Sequence, residues 1–155
     1  MQSGPVRVRI TAPLSRVWGL AQAARSGADA RDLPLEYRIG AYRGTLDLLV
    51  GQDAGRRPGA DPASGADFGS GEHPASGAHP ASSADAAMLS DLLADLRREA
   101  EREEGALTVR DGLTRLTPGF DAWGEAGPAV RVMRRIKERF DPHGILNPGR
   151  FVGGI

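Results

Sequence analysis

Large apolar side chains recur with period two in four short stretches of this chain and at helical spacing in two longer ones. The order of those stretches leaves few folds open. Val6, Val8 and Ile10 alternate with Arg7 and Arg9, the pattern of a half-buried strand. Leu14, Val17, Ala21 and Ala24 then predict a helix over 13–25, with Pro13 in its first turn and Gly27 as its stop. Leu35, Tyr37 and Ile39 form a second strand, Leu46, Leu48 and Val50 a third, and Gly40–Gly44 is short enough to close a hairpin between them. Asp85 is a suitable N-cap for a helix through about Glu104. Its apolar stripe is Met88, Leu89, Leu92, Leu93, Leu96 and Ala100, and Gly105 ends it. Leu107 and Val109 make the fourth strand. Strand, helix, strand, strand, helix, strand is the split βαβ, ferredoxin-like order, an α+β fold with one antiparallel sheet and two helices on one of its faces. Leu35, Tyr37, Ile39, Leu46, Leu48, Leu92, Leu96 and Val109 are its expected core.

One segment interrupts that order. From Gln52 to Ala84 most residues are Ala, Gly, Ser or Pro, with PASGA at 62–66 and 74–78 and PASSA at 80–84. Phe68 is its one large apolar side chain. Such a stretch buries too little apolar surface to offset its chain entropy, so it reads as a disordered surface-loop expansion. The chain therefore divides into a ferredoxin-like domain (1–51 and 85–127), an insertion (52–84) and a C-terminal helix with an irregular arm (128–155).

Composition excludes several functions. The 155 residues suffice for one modest core. The chain has no cysteine, which removes disulfides, iron–sulfur ligation and thiolate chemistry by this chain. Twenty acidic residues balance twenty basic ones, so net charge does not point to a polyanion partner, and no aromatic pair is spaced for base stacking. Arg7 and Arg9 interrupt the only apolar pattern near the N-terminus, unlike a secretory signal, and no run approaches the roughly 20 apolar residues of a membrane span. These features favour a cytoplasmic protein without direct membrane insertion. His73 and His79 lack a third ligand, and His143 reads as a turn residue, so no metal site is expected.

The last stretch is surplus to the ferredoxin-like unit. It reads VRVMRRIKERFDPHGILNPGRFVGGI from Val130 to Ile155. A helix beginning near Pro128 would turn Val130, Met133, Ile136 and Phe140 inward and stop at Asp141-Pro142. Asn147-Pro148-Gly149-Arg150 has the residue order of a type II turn. Helix, DPxGILNPGR and the upstream Trp123-Gly124 together resemble the C-terminus of FAD-linked oxidases of the vanillyl-alcohol-oxidase type. The sequence is most similar to the FAD-binding subunit of bacterial glycolate oxidase, and the sharp resemblance covers 120–155.

The resemblance implies the cap portion of a subunit that oxidises a 2-hydroxy acid, glycolate, to glyoxylate. FAD would be bound mainly by a domain absent from this chain, so the fragment alone should be inactive. Its partners would be the other subunits, including an iron–sulfur subunit, with attachment to the inner face of the cell membrane only through them. Asn147, Gly149 and Arg150 would lie near the flavin. Asn147 and Pro148 read equally well as parts of a purely structural turn, and no catalytic residue stands out. Arg131, Arg134, Arg135, Lys137 and Arg139 read mainly as a solvated helix face, and Trp123 as a buried aromatic supporting the last helix. A tail made for docking should leave Ile145, Leu146 and Phe151 exposed and weakly anchored. The competing reading is a stand-alone ferredoxin-like module that binds a small molecule or a protein without catalysis.

Overall fold

The computed structural model describes residues 4–51, 83–125 and 127–155. Most of the low-complexity insertion, with His73 and His79, lies outside the described residues. The elements run β1 (Val6–Thr11), α1 (Leu14–Asp29), β2 (Leu35–Gly40), β3 (Thr45–Val50), α2 (Ser83–Arg102), β4 (Ala106–Asp111) and α3 (Val130–Phe140). Short 3-10 turns follow at Leu113–Arg115 and Val152–Gly154.

The four strands form one antiparallel sheet in the order β2-β3-β1-β4, the ferredoxin-like arrangement expected from the element order. Register follows the alternation of side chains. Val6 stands opposite Val50, Val8 opposite Leu48 and Ile10 opposite Leu46, so all six point to one face. There they meet Val17, Leu20, Ala21, Ala24 and Ala28 of α1, and Leu89, Leu92, Leu93, Leu96 and Ala100 of α2. The opposite face is polar. On it Arg9 grips Asp47, its direct cross-strand partner, through two hydrogen bonds of 2.6 and 3.0 Å.

Five details differ from the sequence reading. Helix α1 passes through Gly27 and ends at Asp29. A Cβ on Gly27 would stand 2.8 Å from Leu92 Cδ1, so this glycine serves close approach of α1 and α2 rather than termination. Leu20 is buried, whereas Leu14, in the first turn, stays exposed. Helix α2 begins at Ser83, which places Asp85 in its first turn, where a carboxylate still suits the helix dipole. Residues 83 and 84, assigned to the insertion, are therefore helical, and Met88 lies at the exposed margin of the stripe.

Leu35, Tyr37 and Ile39 are only half-buried, because β2 is an edge strand with a neighbour on one side alone. Val109, on the other edge, is buried. Its N–H donates to the Ala122 carbonyl at 2.8 Å, and Phe120 and Ala122 pack on the core beside it. Ser90 fixes the chain leaving β4: its hydroxyl donates to the Ala86 carbonyl (2.7 Å) and accepts the Thr117 N–H (2.9 Å).

Candidate docking arm and flavin-facing turn

Helix α3 has a strongly two-sided sequence, and none of its residues is buried. Met133, Ile136 and Phe140, expected inward, all stand exposed, Phe140 by 80%. The core closes without them, because β1, β3 and β4 already bury their apolar face under α1 and α2. Beyond the helix Ile145, Leu146 and Phe151 are also exposed, Ile145 by 75%. That much matches the expectation for a docking tail. Its weak anchoring does not.

The arm is fastened chiefly at two points, each built on one carboxylate and a turn, and Arg134 adds a longer hydrogen bond of 3.4 Å to the Gly153 carbonyl. At the first, the chain leaves α3 at Asp141, a residue only 6% exposed in an otherwise open segment. Asp141 Oδ1 accepts the Ile145 N–H and Oδ2 accepts the Leu146 N–H, both at 2.9 Å. Lys137, one turn back on α3, places Nζ 2.6 Å from Asp141 Oδ2 and also donates to the Leu146 carbonyl. The Lys137 ammonium and the two amide N–H groups hold the Asp141 carboxyl below the usual carboxylate range, outweighing its partial burial. Lys137, read as one of several solvated cations, is thus committed to a specific contact.

At the second point, the Asp121 carboxylate accepts the Trp123 N–H (2.9 Å) and the Gly124 N–H (3.0 Å). The turn aims the Trp123 indole at the arm, where Nε1 donates to the Arg150 carbonyl at 3.1 Å. The Trp123 and Phe151 rings meet edge to face, 5.1 Å between centroids. Trp123 is 39% exposed, so it is a clamp on the arm and not the buried prop for α3 that the sequence suggested.

Between the fastenings lies the turn 147–150. The Arg150 N–H donates to the Asn147 carbonyl at 3.3 Å, and Gly149 has φ of +69°, as a type II turn requires. Asn147 itself takes φ of +47°, a left-handed conformation that asparagine tolerates better than most side chains. Asn147, Gly149 and Arg150 all present their outer surfaces to solvent. An amide and a guanidinium on one rigid turn can meet a polar ring edge, a phosphate or a carboxylate.

The strand-to-helix connection before α1 is Ala12-Pro13, where proline lacks the N–H that a phosphate cradle needs and no glycine allows close approach. Among the described residues no cluster of His, Cys, Asp or Glu could bind a metal. No described helix is long and apolar enough to cross a membrane. Asp121 escaped the sequence reading, and Asp141 and Lys137 were read only as a helix stop and a solvated cation; their i,i+4 spacing was the available signal.

Residues 121–151 match the C-terminal domain of FAD linked oxidases. The matched span begins at the Asp121 turn and closes at Phe151, so it contains both fastenings and the turn between them. FAD is the cofactor that this family implies, and an FAD-dependent oxidoreductase is the activity that it suggests. Two uncharacterised FAD-linked oxidoreductases, from two strains of Mycobacterium tuberculosis, are each 39% identical over 62 residues. That stretch is 40% of this chain and only 14% of either relative, so the chain spans a small part of their length. No solved structure gives a significant match.

Proposed function

We propose that this chain is the cap and C-terminal arm of an FAD-dependent oxidoreductase subunit that converts a 2-hydroxy acid, glycolate, to glyoxylate within a multisubunit complex. One observation carries the reading. Among the described residues, the segment that matches the FAD-linked oxidases carries most of the exposed large apolar side chains, although its backbone is held in a defined shape. An exposed but ordered apolar face needs a partner. The partner proposed is the domain that carries FAD.

In that assembly Ile136, Phe140, Ile145 and Leu146 supply the apolar contact, and Arg131, Arg135 and Arg139 border it with positive charge. The 147–150 turn is carried to the cofactor edge, where Asn147 and Arg150 orient the flavin or the substrate carboxylate. The flavin, when bound, takes the hydride equivalent from the substrate carbon. The cap sheet and arm exclude water and fix orientation. Electrons then leave through an iron–sulfur partner subunit. The support for glycolate in particular is the resemblance of the tail to the glycolate oxidase subunit.

The test is to mix the purified chain with the flavin-binding domain of an FAD-linked oxidase that lacks its own C-terminal domain. Co-elution, retained yellow colour and glycolate-dependent reduction of a dye acceptor are expected. Turnover of another 2-hydroxy acid in preference to glycolate would correct the substrate alone. Absence of any association would favour the self-contained module, a reading supported by a core that closes without the arm.

A further inference from the structure

We infer that Asp141 and Lys137 form a positioning pair whose task is to set the place of the 147–150 turn, nine residues downstream of the carboxylate at its far end. The geometry stands on its own; its use in docking rests on the reading above.

Asp141 is a buried carboxylate in a segment that is otherwise open on every side. Residues 142–150 are all exposed. Such a loop has little apolar burial to restrain it, and its shape must come from hydrogen bonds. Those bonds converge on one residue. The carboxylate receives the Ile145 and Leu146 amides, while the Lys137 ammonium bridges the carboxylate and the Leu146 carbonyl. Peptide groups on both sides of Leu146 are therefore referred back to the last turn of α3. Leu146 directly precedes Asn147, so fixing it fixes the entry into the turn, whose left-handed Asn147 would otherwise sample extended conformations. The exit is fixed separately, by Trp123 Nε1 on the Arg150 carbonyl. The pair thus prepays the ordering of a segment that must present Ile145, Leu146, Asn147 and Arg150 together, and a loop ordered in advance binds more tightly than one that orders on contact.

The experiment uses the full 155-residue chain and two readouts that loss of the core would not imitate. The chain has two tryptophans, so the indole N–H resonance of Trp123 can be followed against that of Trp18 on α1 as internal control. In Asp141→Ala, the Ile145 and Leu146 amides should exchange with solvent about tenfold faster or more, as loss of charge-assisted hydrogen bonds predicts. The Trp123 indole resonance should move because the Arg150 carbonyl has shifted, while Trp18 and the amides of Leu48 and Leu92 stay unchanged. Asp141→Asn, which keeps an acceptor oxygen, should lie between wild type and alanine. Lys137→Arg should restore what Lys137→Met loses.

If Asp141→Ala leaves the Trp123 indole in place, the turn is held from its far side, by the Trp123–Phe151 clamp and the Arg134–Gly153 contact, and the inference fails. Binding to the flavin-binding domain separates this from the functional reading. A wild-type chain that does not bind, with the resonance changes as described, would sink the docking proposal and leave the positioning pair intact. Wild-type affinity in Asp141→Ala would show that the pair has no part in docking.

Discussion

Gly44 is the position with least freedom in the hairpin. Its φ is +60°, and a Cβ there would lie 2.2 Å from the Ala12 carbonyl oxygen. The Ala12 N–H donates to the Gly44 carbonyl at 2.9 Å, so neither backbone can retreat without breaking that bond. Gly44→Ala should therefore destabilise the fold by more than about 2 kcal/mol in urea unfolding, beyond the usual cost of a left-handed L-residue. The glycine was legible as a turn residue. Its contact with Ala12 was not, since the two are 32 positions apart.

Asp141 belongs to the same scale, with a pH signature of defined sign. Its carboxyl is held below the ordinary carboxylate range, first by Lys137 and then by the Leu146 and Ile145 amides. A depressed folded value means that the arm's stabilisation is fully present above the unfolded value of about 3.9 and is lost as pH falls through the folded value. Amide exchange at Ile145 and Leu146, normalised for intrinsic rates, should be flat from neutral pH down to about 5 and rise sharply in more acidic solution. Asp141→Asn should remove that acid step. An identical step in the variant would assign it to another group.

Among the elements, α2 and α3 make an instructive pair, because the same helical spacing had opposite outcomes. Leu89, Leu92, Leu93 and Leu96 of α2 are buried against the sheet, with Leu96 3% exposed. Leu96→Ala should cost about 2–5 kcal/mol, whereas Met88→Ala, at the exposed margin, should cost well under half of that. Ile136→Ser on α3 should leave the thermal midpoint within about a degree or two of wild type, since Ile136 touches no core. The same change should weaken capture by a flavin-binding domain at least tenfold, as for an anchor at an interface. Period alone showed which α3 residues share a face. It could not show what the face meets, and Met133, Ile136 and Phe140 were taken as inward for that reason.

For the molecule as a whole, the helix-covered sheet and the arm are held in different ways. The sheet with α1 and α2 is a finished hydrophobic unit, while the family-matched segment is shaped by hydrogen bonds and left open. Equilibrium dialysis of the isolated chain should accordingly show no FAD retention at micromolar ligand, and retention should appear only with a flavin-binding domain present. Tight binding by the chain alone would count against the division of cofactor binding proposed above.

What this sequence determined by itself was whatever depends on neighbours along the chain. Alternation of Val6, Val8 and Ile10, helical spacing in α2, the glycines of the hairpin and the order of Asn147 to Arg150 are local, and periodicity with turn chemistry reports them directly. The antiparallel sheet followed from the order of those pieces. Only the tertiary structure decided the rest, because each remaining point depends on residues far apart in sequence. Edge position left Tyr37 and Ile39 half open. Contact with Leu92 turned Gly27 from a helix stop into a crossing point. Trp123 became a clamp because Arg150 and Phe151, 27 and 28 residues away, return to meet it. Asp141 became the organiser of the arm because burial and directed N–H groups, not residue type, separate a structural carboxylate from a solvated one.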